Sequence, residues 1–198
     1  MSAATMSGFS RHKRSGAIFA TFSIFEADLL RSLAAQLVEL LRSDDAAQVE
    51  VDPFEALLDF SGPTRPPEDP VLARLLPTAY SDDEDAAADF RRFTEKSLRH
   101  SKAAGATTII ETLEEAGLPA EPTDDALMID VEMDRPVAMA WLRSFTDIRL
   151  ALATRLGIED GDDEFWAGLP EDDPMAQAHD IYDWVGYLQE TLVGALGG

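Results

Sequence analysis

The sequence predicts a mainly α protein: a single helical domain with a long central helix and a small two-stranded antiparallel sheet. Three observations carry that expectation. From Trp141 to Ile158 (WLRSFTDIRLALATRLGI) apolar residues recur at intervals of three and four, the period of a helix with little solvent face. From Asp82 to Ala116 a proline-free run opens on acids and stops at Gly117 and Pro119, as a long helix would. Two short segments, Ala17 to Phe22 and Ala126 to Met133, read instead as strands, the second through its alternation of apolar and acidic residues.

Residues 1–15 (MSAATMSGFSRHKRS) are small, polar and finally basic, with no period, and read as a disordered basic arm ahead of a single helical domain at 16–198. After the first strand, Ser23 and Glu26 have the spacing of a capping box. The helix they open carries a leucine face (Leu29, Leu30, Leu33, Leu37, Leu40 and Leu41) as far as Arg42. Prolines then punctuate the chain as far as Tyr80. Short helical pieces fit at Pro53 to Phe60 and Pro70 to Leu76, on either side of the loop SGPTRPPEDP.

Ser81 with Glu84 forms a second capping box, and Asp82, Asp83, Glu84 and Asp85 fall where the helix dipole favours acids. The small residues Ala103 to Thr107 in mid-helix imply either a close backbone neighbour or a bend at Gly105. The second strand places Leu127, Ile129 and Val131 on one face and pairs with Ala17 to Phe22. Asp134 caps the central helix, Pro136 lies in its first turn and Gly157 ends it, with Trp141, Phe145 and Ile148 pointing to the core. Charged groups inside such a helix need partners, so Arg143, Asp147, Arg149 and Arg155 read as structural ion pairs, with Arg143 and Asp147 one turn apart. Glu159 to Asp173 holds eight acids and no base around the apolar anchor Phe165, Trp166 and Leu169. Asp173 and Pro174 open the last helix, whose seam runs Ile181, Val185, Leu188, Leu192 and Leu196. Trp184 and Tyr187 are displaced from it toward a partner.

Composition excludes several function classes. A net charge of −22 opposes binding of nucleic acid by the whole surface, because phosphate and protein repel at long range. The chain has no cysteine, which removes disulfides, cysteine-ligated zinc and thiol switching. No apolar run reaches the roughly 20 residues of a membrane span, and the N-terminus lacks the order of a secretory signal, so the expected location is cytoplasmic with no membrane partner. His12, His100 and His179 fit neither HExxH nor ExxH, and GxSxG, GxxxxGK[ST] and GxGxxG are absent. The expectation is a protein that is not an enzyme, with no catalytic residue, no metal and no cofactor.

The local anomaly is basic. Arg91 to Lys102 (RRFTEKSLRHSK) holds five Lys or Arg residues and one acid in an otherwise acidic chain. Arg91, Arg92, Lys96, Arg99, His100 and Lys102 are the candidate contacts for a protein partner or nucleic acid, and the basic arm would add reach. The alternative is a solvated face that offsets the acids of Asp82 to Asp89.

Taken together, WLRSFTDIRLALATRLGI, the acidic loop, IYDWVGYLQETLVGAL, the early FEADLLRSLAAQLVELL and the middle DPVLARLLPTAYSDDEDAAADFRRFTEKSLRHSK resemble a small actinobacterial domain-of-unknown-function family associated with the AosR oxidative-stress transcriptional regulator. The resemblance covers most of residues 17–196. It implies a cytoplasmic, noncatalytic regulator of transcription linked to the redox response and to cysteine synthesis, whose protein partner is a stress sigma factor. It also implies a sensing cysteine pair, and this chain departs from the pattern by having no cysteine. An adaptor or assembly protein without a role on DNA, and an enzyme using carboxylates in a helical pocket, are the rival classes. A homodimer is compatible with every one of them.

Overall fold

The computed structural model describes residues 8–43, 62–122, 127–170 and 172–198. Among these the chain runs β1 (Ser10–Arg11), β2 (Ile18–Ser23), α1 (Ile24–Arg42), α2 (Pro70–Leu75), α3 (Glu84–Glu115), β3 (Met128–Met133), α4 (Arg135–Leu156), α5 (Asp163–Ala167) and α6 (Pro174–Gly197). The mainly helical expectation holds. The short helix expected at Pro53 to Phe60 lies outside the described residues.

The helix boundaries follow local chemistry. Ser23 accepts from the Glu26 N–H while the Glu26 carboxylate accepts from the Ser23 N–H at 2.8 Å, the reciprocal capping box that starts α1. Asp134 caps α4 through the Val137 N–H at 3.0 Å, and Gly157, at φ +70°, closes it in the left-handed conformation that suits glycine. At α3 the cap is Asp83, which accepts from the Ala86 N–H at 2.9 Å, and not the expected Ser81. The reason is the turn before it. Tyr80 sits at φ +55° and its carbonyl accepts from the Asp83 N–H, so the helix begins two residues later than a Ser81 cap would allow.

The sheet has three antiparallel strands in the order β1-β2-β3, where two were expected. Ile18, Ala20 and Phe22 face Met133, Val131 and Ile129 across the inner side of the β2–β3 pair. Met133 thus completes the buried face, and Leu127, predicted to share it, precedes the strand and is exposed. The reading of residues 1–15 as a disordered arm is corrected over 8–15. β1 pairs Ser10 with Phe19 and Arg11 with Ile18, and the Phe9 N–H donates to Thr191 Oγ1 at 3.1 Å. The cause is one aromatic residue. Phe9 is buried, its ring 5.8 Å from those of both Phe22 and Trp141, so a polar segment is held down by a single apolar anchor.

Helix α4 is the hub of the core, packed against α1, α2, α3 and α6. Trp141, Phe145 and Ile148 are buried as expected, and the Ile109 and Leu113 side chains of α3 and Leu188 and Leu192 of α6 complete the cluster. At Gly105 the close-neighbour reading holds: α3 continues unbroken, and a Cβ there would lie 3.0 Å from Ser144 Oγ of α4.

Candidate partner-binding surface

The cations of the 91–102 run do not share one surface. Successive residues of a helix turn by about 100°, so side chains four apart drift slowly and Arg91, Glu95 and Arg99 form one stripe. That stripe points inward, leaving the three residues 6%, 3% and 6% exposed. The Glu95 carboxylate accepts from Arg91 Nη1 at 2.6 Å and from Arg99 Nη2 at 2.7 Å. Arg91 also donates to Thr78 Oγ1 at 3.1 Å, and Arg99 to the Leu41 carbonyl at 3.4 Å. The triad therefore ties α3 to the end of α1 and to the segment after α2. Charges so far from water persist only when fully partnered, which makes Arg91 and Arg99 structural and corrects their reading as contact residues.

The other four divide. Arg92 is half-buried, paired with Asp89 at 3.2 Å, its guanidinium 5.0 Å from the centre of the Phe93 ring. Lys102 reaches to α4, where its Nζ lies 2.6 Å from Asp147 Oδ1. Lys96 and His100 are exposed.

The charges of α4 are partnered differently from the sequence expectation. Asp147 turns into the interface with α3 and takes Lys102, not Arg143, which is exposed and has no partner among the described residues. Arg149 is held by neutral groups, donating to Gln189 Oε1 at 3.0 Å and Tyr182 Oη at 3.1 Å with its guanidinium carbon 4.8 Å over the Tyr182 ring. Gly186 makes room for it, since a Cβ there would meet the guanidinium at 3.3 Å. Arg155 pairs with Asp69 at 2.9 Å and joins the end of α4 to the start of α2. Burial pushes the Asp69 carboxyl up, but the N–H groups of Leu72 and Val71 and the Arg155 charge outweigh it and hold it below the usual carboxylate range.

Near the C-terminus, Trp166 is buried and stacks on His179, ring centres 4.7 Å apart, and His179 Nδ1 lies 3.5 Å from Asp183. The Glu159 N–H, which donates to Asp162 Oδ2 at 2.9 Å, holds the Asp162 carboxyl below the usual carboxylate range against the opposing effect of burial. Trp184 and Tyr187, read from the sequence as contact residues, are half-buried against the core.

What the sequence reading missed is the outer face of α3. Phe90, Thr94, Leu98, Ser101, Gly105 and Thr108 follow one another at steps of three and four along one side of the helix. Phe90 and Leu98 are 41% and 43% exposed, and Tyr80, 60% exposed, packs edge-on to Phe90 at 5.8 Å. The signal was present: Phe90 and Leu98 are two turns apart and lie off the stripe that buries Ile109 and Leu113. Toward the C-terminal half the stripe becomes the floor of a groove of about 610 Å³ between α3 and α4, whose walls include Lys102, Ala140, Arg143, Ser144 and Asp147. A second depression of about 400 Å³ between α1, α2 and α4 is lined chiefly by aliphatic side chains such as Leu37, Val71 and Leu152. Among the described residues no cluster of His, Asp or Glu is arranged to hold a metal ion, and no helix is long and apolar enough to cross a membrane.

Comparison with known proteins converges on one family. A protein of Mycobacterium leprae is 31% identical over 185 residues, 86% of this chain and 78% of the relative. Proteins of Mycobacterium bovis and Mycobacterium tuberculosis, each named oxidative stress regulator AosR, are 30% identical over 186 residues, 87% of this chain and 79% of theirs. No solved structure matches. The profile of the domain of unknown function DUF2017 matches residues 6–196, nearly the whole chain, and this protein belongs to that family.

Proposed function

We propose that the protein is a non-enzymatic, cytoplasmic, transcription-associated regulator in the oxidative-stress or cysteine-metabolism response, acting through contacts with protein, in the first place a sigma factor. The observation that carries this reading is its similarity, over most of both chains, to proteins named oxidative stress regulator. Electrostatics put protein ahead of DNA as the partner. The chain carries −22, and the run that looked like a phosphate-binding face has two of its cations buried on Glu95 and a third paired to Asp147. With no cysteine, its input is not a disulfide formed within this chain.

The test is transcription in vitro from a stress-sigma-dependent promoter, using purified polymerase holoenzyme with and without this protein. A change in transcript yield that follows the concentration of the protein, and is equal under reducing and thiol-oxidising conditions, is the expected result. Unchanged yield, with no complex between protein and holoenzyme by size-exclusion chromatography, would overturn it.

A further inference from the structure

The outer face of α3 offers a seam with two different electrical ends. From Phe90 to Thr108 it extends for about 27 Å at 1.5 Å per residue, the length of five turns of helix. At the N-terminal end the exposed rings of Tyr80 and Phe90 are rimmed by Asp82, Asp83, Glu84, Asp85 and Asp89, all exposed. Leu98 stands in the middle as a second apolar anchor. At the C-terminal end the side chains shrink to Ala104, Gly105 and Thr108, and the charge reverses: in the groove wall Lys102 and Asp147 offset each other, and the exposed Arg143 guanidinium, which has no partner among the described residues, is left as its net charge. Ser144, 1% exposed, lines that groove too.

From this placement we infer that the α3 face is the docking site of an amphipathic helix on a partner protein. Its apolar seam covers Tyr80, Phe90 and Leu98. A small residue sits opposite Gly105, basic side chains meet the acids at 82–89, and a carboxylate meets Arg143. Charge complementarity selects this occupant. A uniformly basic helix would meet Arg143 with like charge, and a uniformly acidic one would be repelled at the Asp82 end. The small floor permits the close backbone approach that a helix seated between two others requires, and anchors at helical spacing are the usual means of reading such a ligand. The inference rests on the protein-contact reading proposed above and names the chemistry of the contact.

The experiment uses the full chain and three synthetic helical peptides of about 20 residues, roughly 30 Å long. All share a leucine seam broken by one alanine. One has a basic and an acidic end, one has two basic ends and one has two acidic ends. Fluorescence anisotropy should rank the bipolar peptide tightest, by about tenfold over either uniform peptide, a difference of about 1.4 kcal/mol. Arg143→Glu should move the preference to the peptide with two basic ends. Phe90→Ser and Leu98→Ser should each weaken the bipolar peptide several-fold while the circular dichroism spectrum is retained. Equal affinity for the three peptides, or Phe90→Ser and Leu98→Ser variants that bind as tightly as the unaltered chain, would overturn the proposal. So would self-association by analytical ultracentrifugation that Leu98→Glu abolishes, which would assign the face to a second copy. Because the peptides report binding directly, their failure is distinct from a failure to alter transcription.

Discussion

Lys102 of α3 and Asp147 of α4 are joined at 2.6 Å, and this contact closes one wall of the groove between their helices. Asp147 is 5% exposed, so its charge is tolerable only while the ammonium stands beside it. Lys102→Ala should destabilise the protein by about 2 to 4 kcal/mol, somewhat less than a fully enclosed pair because Lys102 keeps contact with water. Chemical denaturation measures it. The double change Lys102→Met with Asp147→Leu should recover most of the loss, since an apolar pair of similar volume leaves no charge behind.

Glu95 is the sharper case, because one carboxylate serves two guanidinium groups. Glu95→Gln should cost at least about 3 kcal/mol, which for a chain of this size is a fall in Tm of roughly 6 to 12 °C. Lys96→Ala, at the neighbouring exposed position, should change stability by less than about 0.5 kcal/mol. Equal melting temperatures for the two variants would contradict an inward-facing triad.

Phe9 distinguishes a docked N-terminal segment from a disordered arm. Phe9→Ala removes a ring from the cluster of Phe22, Trp141 and Phe145 and should destabilise by about 3 kcal/mol, the lower end for deleting a buried aromatic ring. A disordered arm predicts no change at all. Differential scanning calorimetry of the two chains decides between them.

Acid stability follows from Asp69 and Asp162, whose carboxyls are both lowered from the ordinary value of 3.8. A carboxylate depressed in the folded state contributes stability that is fully present above its unfolded value and lost as pH falls through the folded one. Melting temperature should therefore fall as pH drops below about 3.8. Asp69→Asn, which keeps a capping side chain but loses the charge facing Arg155, should melt lower at pH 7 and approach the unaltered chain at pH 2.5. A constant difference across that range would show that the charge is not the cause.

The helices themselves were legible along the chain, because their causes are local. The Ser23–Glu26 box, the Asp134 cap with Pro136 behind it, the left-handed Gly157 and the Asp173–Pro174 start act within four residues of where they stand. The burial of Trp141, Phe145 and Ile148 was legible for a similar reason, since a three-and-four period in apolar residues is itself a statement about one face. The opening of α3 was misread because the turn at Tyr80 takes up the residues before Asp83.

The partners of the charges, and therefore the candidate site, were decided by the tertiary structure. Arg143 and Asp147 are separated by one turn on α4, yet Asp147 faces α3 and takes a lysine 45 residues away in the chain. Arg91, Arg99 and Lys96 read alike as cations on one helix, and only the position of α1 and of the segment after α2 makes two of them internal. Periodicity describes how a helix is divided into faces. Which face meets water, and which charge finds its counter-ion, depends on neighbours brought together by long-range packing, where the cost of removing an ion from water outweighs any preference encoded in local spacing.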